Sequence, residues 1–348
     1  MVIAVLLGLS GALLVPALKR HLTRLAPDSF EQALARREAR RGTAPREVEQ
    51  TEAVPVGQSL PLLLWLPRTL GGSGRAEALR ERVSAAVEAF QERSGVPLPV
   101  VRFRWHEGGE SGWRLDAFDV PIASGEWSGG ASETAMIAAI DEALAANATE
   151  FLGMQEAGQL LSMANVDYPD IVKETVRLVP IQHIAQIFRN LVDERLPIRN
   201  LRAILEALIE GAPHEKHPGG LTDYARLALA RHTCHRLAPD GVMRVIALGA
   251  PLEEQLTSAL RSSGGVHQLS LDPVLQGRVR DALVGAVDAH APAALVASGP
   301  LRRHVRALLP PRYRAVPVLA YAELVGGVQL DVAEQITLEG TVPLAAVR

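Results

Sequence analysis

Glycines, histidines and a lone cysteine are the residues here whose types could do chemistry, and their spacing decides what each could do. Gly71-Gly72-Ser73-Gly74 follows an apolar run and opens a helical pattern, the setting in which backbone N–H groups cradle phosphate. It has neither the Gly-Lys-Ser/Thr of a nucleotide P-loop nor the third glycine of the dinucleotide fingerprint. The expectation is a plain turn, with a phosphate- or nucleotide-binding enzyme as the alternative. His214-Glu215-Lys216-His217 offers two imidazoles and a carboxylate, but a zinc-protease helix needs its histidines four apart on one face. These are three apart, in a loop rich in Pro and Gly. His232, Cys234 and His235 add donors for a metal site, against which stand surface histidines and a small buried or half-buried thiol. No Gly-x-Ser-x-Gly occurs, and nothing around Cys234 forms a catalytic signature. The chain is therefore expected to carry no catalytic residue, no cofactor and no metal.

A different chemistry, protein recognition, is offered by Arg199, Asn200 and Arg202, which interleave with the apolar stripe Leu201, Ile204, Leu205 and Leu208. The stripe has helical spacing and reads as structural core. The arginines stand at the start of that helix, where cations oppose the positive end of the macrodipole and gain nothing locally. Arginine suits interfaces because its planar fork pairs with carboxylates in two parallel hydrogen bonds. All three polar residues are thus candidates for protein interaction, with solvated surface charges as the alternative.

The elements that must position these residues follow from periodicity. An apolar run over 60–66 reads as a buried strand, and Leu79, Val83, Val87 and Phe90 repeat at helical spacing up to Gly95. Strands over 100–105 and 113–123 follow, joined by a turn containing Gly108, Gly109 and Gly112, then a break at 125–130 and a helix over 132–151. The middle third is helical: Pro169 and Pro180 each sit where a helix can start, and Ile181, Ile184, Phe188, Leu191 and Val192 form one stripe. Thr222 is the expected cap of a helix over 223–237. Beyond Pro239-Asp240-Gly241, strands over 242–248, 267–271, 293–297 and 316–319 alternate with helices over 252–260, 273–288 and 301–309. The fold class is α+β in several subdomains: an N-terminal β-α-β-β-α unit over 58–152, a central helical block over 153–241, and a C-terminal α/β unit over 242–340.

Composition sets the frame. The 348 residues are 48% apolar and 22% charged, enough to bury a sizeable core, and a formal net charge of -3 with mixed signs argues against nucleic acid. A single cysteine excludes an intrachain disulfide and fits a reducing compartment. Residues 2–18 are uncharged and then meet Lys19, Arg20 and Arg24. A helix of that length rises about 25 Å, just enough for a thin hydrocarbon core, and cations after the run place the bulk of the chain in the cytoplasm. One transmembrane anchor within 1–25 is expected, followed by a basic linker over 26–57; a buried core helix and a signal peptide are the alternatives.

Several stretches closely resemble the cytoplasmic region of the FlhA/SctV (FHIPEP) family of flagellar and virulence type III export gates. They are Phe151-Leu152-Gly153-Met154-Gln155-Glu156, Tyr168-Pro169-Asp170-Ile171-Val172-Lys173-Glu174, Val179-Pro180-Ile181-Gln182, the run from Ile198 to Leu208, Leu221-Thr222-Asp223-Tyr224-Ala225-Arg226, and Pro317 to Leu324. The resemblance implies a ring-forming scaffold at the bacterial inner membrane, a nonamer, that docks chaperone–substrate complexes, the gatekeeper and the ATPase stalk; in such a ring, the residue reading above places Arg199 and Arg202 at or near the subunit contact. A degenerate paralogue that regulates a full-length gate is the alternative. Two departures accompany it: the family's large multi-span membrane domain is not represented beyond the single apolar segment, and the small subdomain inserted into the family's first cytoplasmic unit, which helps form its chaperone-docking groove, is largely missing at 125–130.

Overall fold

The computed structural model describes residues 59–70, 74–106, 111–128, 130–263 and 266–338. The expected anchor and basic linker, together with Gly71, Gly72, Ser73, Gly108 and Gly109, lie outside the described residues. Among the described residues, no helix is long and apolar enough to cross a membrane.

The first unit opens on strand β1 (Leu62–Leu66), whose Leu62, Leu64 and Leu66 point to one fully buried face because strand side chains alternate. Helix α1 (Gly74–Ser94) packs Leu79, Val83, Val87 and Phe90 into the same core. Strand β2 (Arg102–Trp105) pairs parallel with β1, strand β3 (Gly112–Ala117) antiparallel with it, and strand β4 (Val120–Glu126) antiparallel with β3, giving the order β2-β1-β3-β4. Helix α2 (Gly130–Ala146) adds Met136, Ile140 and Leu144 to this core. It stops at Ala146, and Ala148–Phe151 forms a separate 3-10 turn.

The order is β-α-β-β-β-α, which corrects the expected β-α-β-β-α: the strand anticipated over 113–123 is a hairpin. Its chain reverses at Phe118 and Asp119, both left-handed with φ of 50° and 67°. Such turns ordinarily announce themselves with Gly or Asn, and here tertiary contacts hold the turn instead. The Phe118 ring packs on Phe151 with centroids 5.6 Å apart, and Leu60 N donates to Asp119 Oδ1 at 3.3 Å.

The helical block comprises α3 (Met154–Asp167), α4 (Pro169–Leu178), α5 (Ile181–Asp193), α6 (Leu201–Gly211) and α7 (Pro218–Leu237). Helix α6 lies between α4 and α7. Ile204, Leu205 and Leu208 on α6 are fully buried and Leu201 is half-buried. They join Phe188 of α5 and the leucines of β1 in one continuous hydrophobic cluster, so the first unit and the block share a core. Thr222 does not cap α7. His217 does, its Nδ1 accepting from Gly219 N at 3.1 Å, while Thr222 sits inside the helix, donating to Pro218 O at 2.7 Å and accepting from Asn190 Nδ2 at 3.0 Å. Gly219 and Gly220 are poor helix formers, but Pro218 at the first helical position is compatible with a helix start, and Leu221 is anchored in the core.

The C-terminal unit runs β5 (Val242–Leu248), α8 (Ala250–Ser258), a hairpin of β6 (Leu260–Ser263) and β7 (Val266–Leu269), α9 (Pro273–His290), β8 (Ala294–Ala297), α10 (Gly299–Leu308), β9 (Val318–Ala320) and β10 (Gln329–Ile336). Four parallel strands form a sheet in the order β10-β5-β8-β9. Strands β6 and β10 are not anticipated by the sequence. The eight residues of β10 mix Leu330 and Val332 with Asp331 and Glu334, the pattern of a half-exposed edge strand. A bulge between Val332 and Glu334 and these carboxylates blunt that free edge against pairing with another chain.

Candidate protein-interaction site

Arg199 is placed by the end of α1. That helix closes with Gly95 in the left-handed region, φ 80°, and a Cβ there would come within 2.8 Å of Arg199 N. Only glycine meets both demands. Ile198 N donates to Ser94 O at 2.8 Å, which pins the connection from α5 to α6 against the tip of α1. Asn200 then caps α6: its Oδ1 accepts from Ala203 N at 3.2 Å. An N-cap of this kind stabilises by about 1 kcal/mol, so Asn200 has a local reason to be polar.

The two arginines diverge. Arg202 turns toward the α3–α4 corner, where its guanidinium lies 5.7 Å from the Tyr168 ring centroid and its Nε donates to Glu206 at 3.0 Å. Arg199 faces the other flank of α6. It is exposed, and it helps line a half-open pocket of about 400 Å³ with Arg93, Pro197, Leu229, His232 and Arg236. Pro197 and Leu229 supply apolar surface, the rim is cationic, and no carboxylate lines the pocket. Arg93 is partly occupied, paired with Asp141 and stacked 4.9 Å over Phe90. Arg236 donates to the Arg195 carbonyl. Burial of its guanidinium, and secondarily the charge of Arg226, hold its pKa below the ordinary arginine value. An anion delivered to this pocket would relieve that strain on the charge.

A second group of charges, which the sequence reading does not single out, joins the helical block to the C-terminal unit. Arg226 of α7 donates from Nε and Nη2 to both oxygens of Glu323, at 3.1 and 2.8 Å, from Nη1 to Glu194 at 3.0 Å, and from Nη2 to Val318 O at 2.9 Å. Arg302 of α10 donates to Glu194 at 2.6 Å and to Asp223 at 3.0 Å. Arg226, Arg302 and Glu323 are buried to 2% exposure or less, so every charge here needs its partner. Desolvation raises the Asp223 pKa, opposed chiefly by Arg302 and Arg303. For Arg302, burial works against the charge, yet Glu194 and Asp223 outweigh it and the pKa stands above the ordinary value. Asp223 and Arg226, one helical turn apart beside the buried Leu221 and Ala225, are the signal that points to this joint.

The candidate metal donors do not converge. His217 caps α7, Cys234 is buried with its Sγ donating to Glu323 O at 3.2 Å, and His232 and His235 are exposed on α7. Among the described residues, no group of three or more His, Cys, Asp or Glu could hold a metal ion.

Comparison with known proteins draws these features together. The FHIPEP family model matches residues 127–329, more than half of the chain. The invasion protein InvA of Salmonella typhimurium is 31% identical over 197 residues, 56% of this chain and 29% of InvA, so the chain spans less than a third of that relative. Among solved structures, the nonameric EPEC SctV-C has a TM-score of 0.71 at 22% identity, covering 80% of this chain and 99% of that one. CdsV of Chlamydia pneumoniae, solved with CdsO, has a TM-score of 0.71 at 21% identity, covering 80% of this chain and 98% of CdsV. Identities this low establish the fold alone, but the family match stands on the sequence itself, and the stretches that form the buried joint, Leu221 to Arg226 and Pro317 to Leu324, lie within it. The chain belongs to the FHIPEP family.

Proposed function

We propose that this chain works as the cytoplasmic platform of a type III secretion export gate at the bacterial inner membrane, assembling into a ring and acting by docking proteins rather than by catalysis. The observation that carries the reading is the fold likeness over 80% of the chain to a cytoplasmic domain that is a nonamer. The exposed Arg199, which has no carboxylate partner among the described residues, beside a pocket with apolar surface from Pro197 and Leu229 supports it, since a ring contact would supply that carboxylate. CdsV is solved in complex with CdsO, and we extend docking of this kind to an ATPase stalk protein, to secretion chaperones with their substrates and to the gatekeeper. Mass photometry of the full chain in detergent tests the core of this reading. A closed oligomer of discrete mass is expected; a monomer at every concentration would refute it.

A further inference from the structure

The helical block presents two complementary surfaces on opposite flanks of α6. On the α7 flank is the pocket already described, with apolar surface from Pro197 and Leu229 and a rim of Arg93, Arg199, His232 and Arg236. On the α4 flank, the corner where α3 passes into α4 carries Met163, Val166 and Asp167, spaced to share one face of α3, and Asp170 in the first turn of α4. Val166 is 77% exposed and Met163 55%, which leaves apolar surface on this corner open to a partner. Both aspartates are exposed and make no ion pair among the described residues. Of the cations nearest the corner, Arg202 is paired with Glu206 and Lys173 is exposed one turn further along α4.

Resting on the ring reading above, we propose that the Val166–Asp167 corner of one copy seats in the arginine pocket of the next, so that the ring contact is a head-to-tail joint between opposite flanks of α6. Val166 and Met163 cover the apolar surface of Pro197 and Leu229. The carboxylates of Asp167 and Asp170 accept from Arg199 and Arg236, the guanidiniums on the rim that have no carboxylate partner among the described residues. The two surfaces are different, and α6 separates them. The contact is therefore heterologous, and such contacts propagate into rings or filaments instead of closing as a two-fold dimer. The same arrangement accounts for Arg199 standing at a helix start, where the macrodipole disfavours it: its partner is on the neighbouring copy.

The test uses the full chain in detergent and two surface variants, Arg199→Glu in the pocket and Asp167→Arg on the corner, each checked to melt with the parent. Each alone is expected to associate at least about tenfold more weakly than the parent, because like charges now meet. Mixed together, the two variants join alternately through one parental junction and one reversed ion pair, so the mixture regains oligomers that neither variant forms alone. The double variant carrying both changes restores closed oligomers through the reversed ion pair. If the parent forms rings and both single variants form them equally well, this contact is wrong while the ring reading stands. If both single variants weaken but neither the mixture nor the double variant regains oligomers, the pairing of these two surfaces is wrong. A parent that stays monomeric would overturn the ring reading and this contact together.

Discussion

Two arginine clusters, one around Arg226 in the middle of α7 and one around Arg236 in its last turn, solve the same problem in opposite ways. At Arg226 and Arg302 the guanidiniums are fully buried, and three carboxylates drawn from the C-cap of α5, from α7 and from the turn after β9 meet them within hydrogen-bond distance. At Arg199 and Arg236 the cations reach a pocket that no carboxylate lines. Burial explains the difference: a buried charge without a partner costs several kcal/mol, whereas an exposed one is solvated at little cost. The interior therefore had to complete its ion pairs within the chain, and the surface was free to leave its own for another molecule. Charge that is complete reads as architecture; charge that is incomplete reads as an address.

The largest blow to that contrast should come from Glu194→Ala. Glu194 accepts from both Arg226 and Arg302, so its loss leaves two buried guanidiniums short of a carboxylate, and urea unfolding should show a loss of about 3–5 kcal/mol. A loss below about 1 kcal/mol would mean that water or a shift of α10 replaces it, and the joint would then resemble the surface cluster.

A smaller effect is expected from Asp223→Asn, about 1–2 kcal/mol at neutral pH, because the Asp223 side chain is 34% exposed and solvent screens its bond to Arg302. The sharper readout is pH. A carboxyl whose folded pKa is raised binds a proton more readily in the folded than in the unfolded chain. Its contribution to stability therefore grows as pH falls from above the raised value toward the usual 3.8. The parent should gain further on the Asn variant as the pH is lowered through that window, seen as urea midpoints that move apart. Parallel curves would show that Asp223 titrates normally.

The smallest effect belongs to the surface cluster. Arg199→Ala should change stability by less than about 0.5 kcal/mol, since the side chain makes no ion pair or hydrogen bond among the described residues. Thermal melts of a dilute sample measure this. A large destabilisation would place Arg199 with the buried arginines and remove the distinction.

The sequence showed its architecture wherever periodicity was strong and local. The stripes of α1, α5 and α6 and the fully apolar β8 could be read directly, because buried faces repeat at fixed spacing. It failed where tertiary contacts replaced local signals. Phe118 and Asp119 make a hairpin turn with no glycine because Phe151 and Leu60 hold it. Strand β10 hid behind its charges because an edge strand needs only one apolar side. The interaction residues were legible only in part. Arg199, Asn200 and Arg202 look alike in sequence, yet one caps a helix, one is satisfied within its own helix, and one faces the pocket. Side-chain direction sorts them, and that depends on what α6 packs against. The buried joint was hidden for another reason: its members come from four separated segments, and no local pattern links Glu194 to Glu323.

That separation also has a meaning in time. The hydrophobic cluster shared by the first unit and the helical block is complete by Leu229, so it can form while the rest of the chain is still being synthesised, as domains generally do. Glu323 follows Arg226 by 97 residues, which at ribosomal speeds is a delay of roughly 5–20 s. During that interval Arg226 has Glu194 and, one turn away, Asp223, but not its two-pronged partner Glu323, and the surface that will receive β9 and α10 is still charged and open to water. A nascent chain exposing charge at its unfinished seam is protected from sticking to its neighbours on the same messenger. Water leaves that seam only when the last carboxylate arrives to replace it.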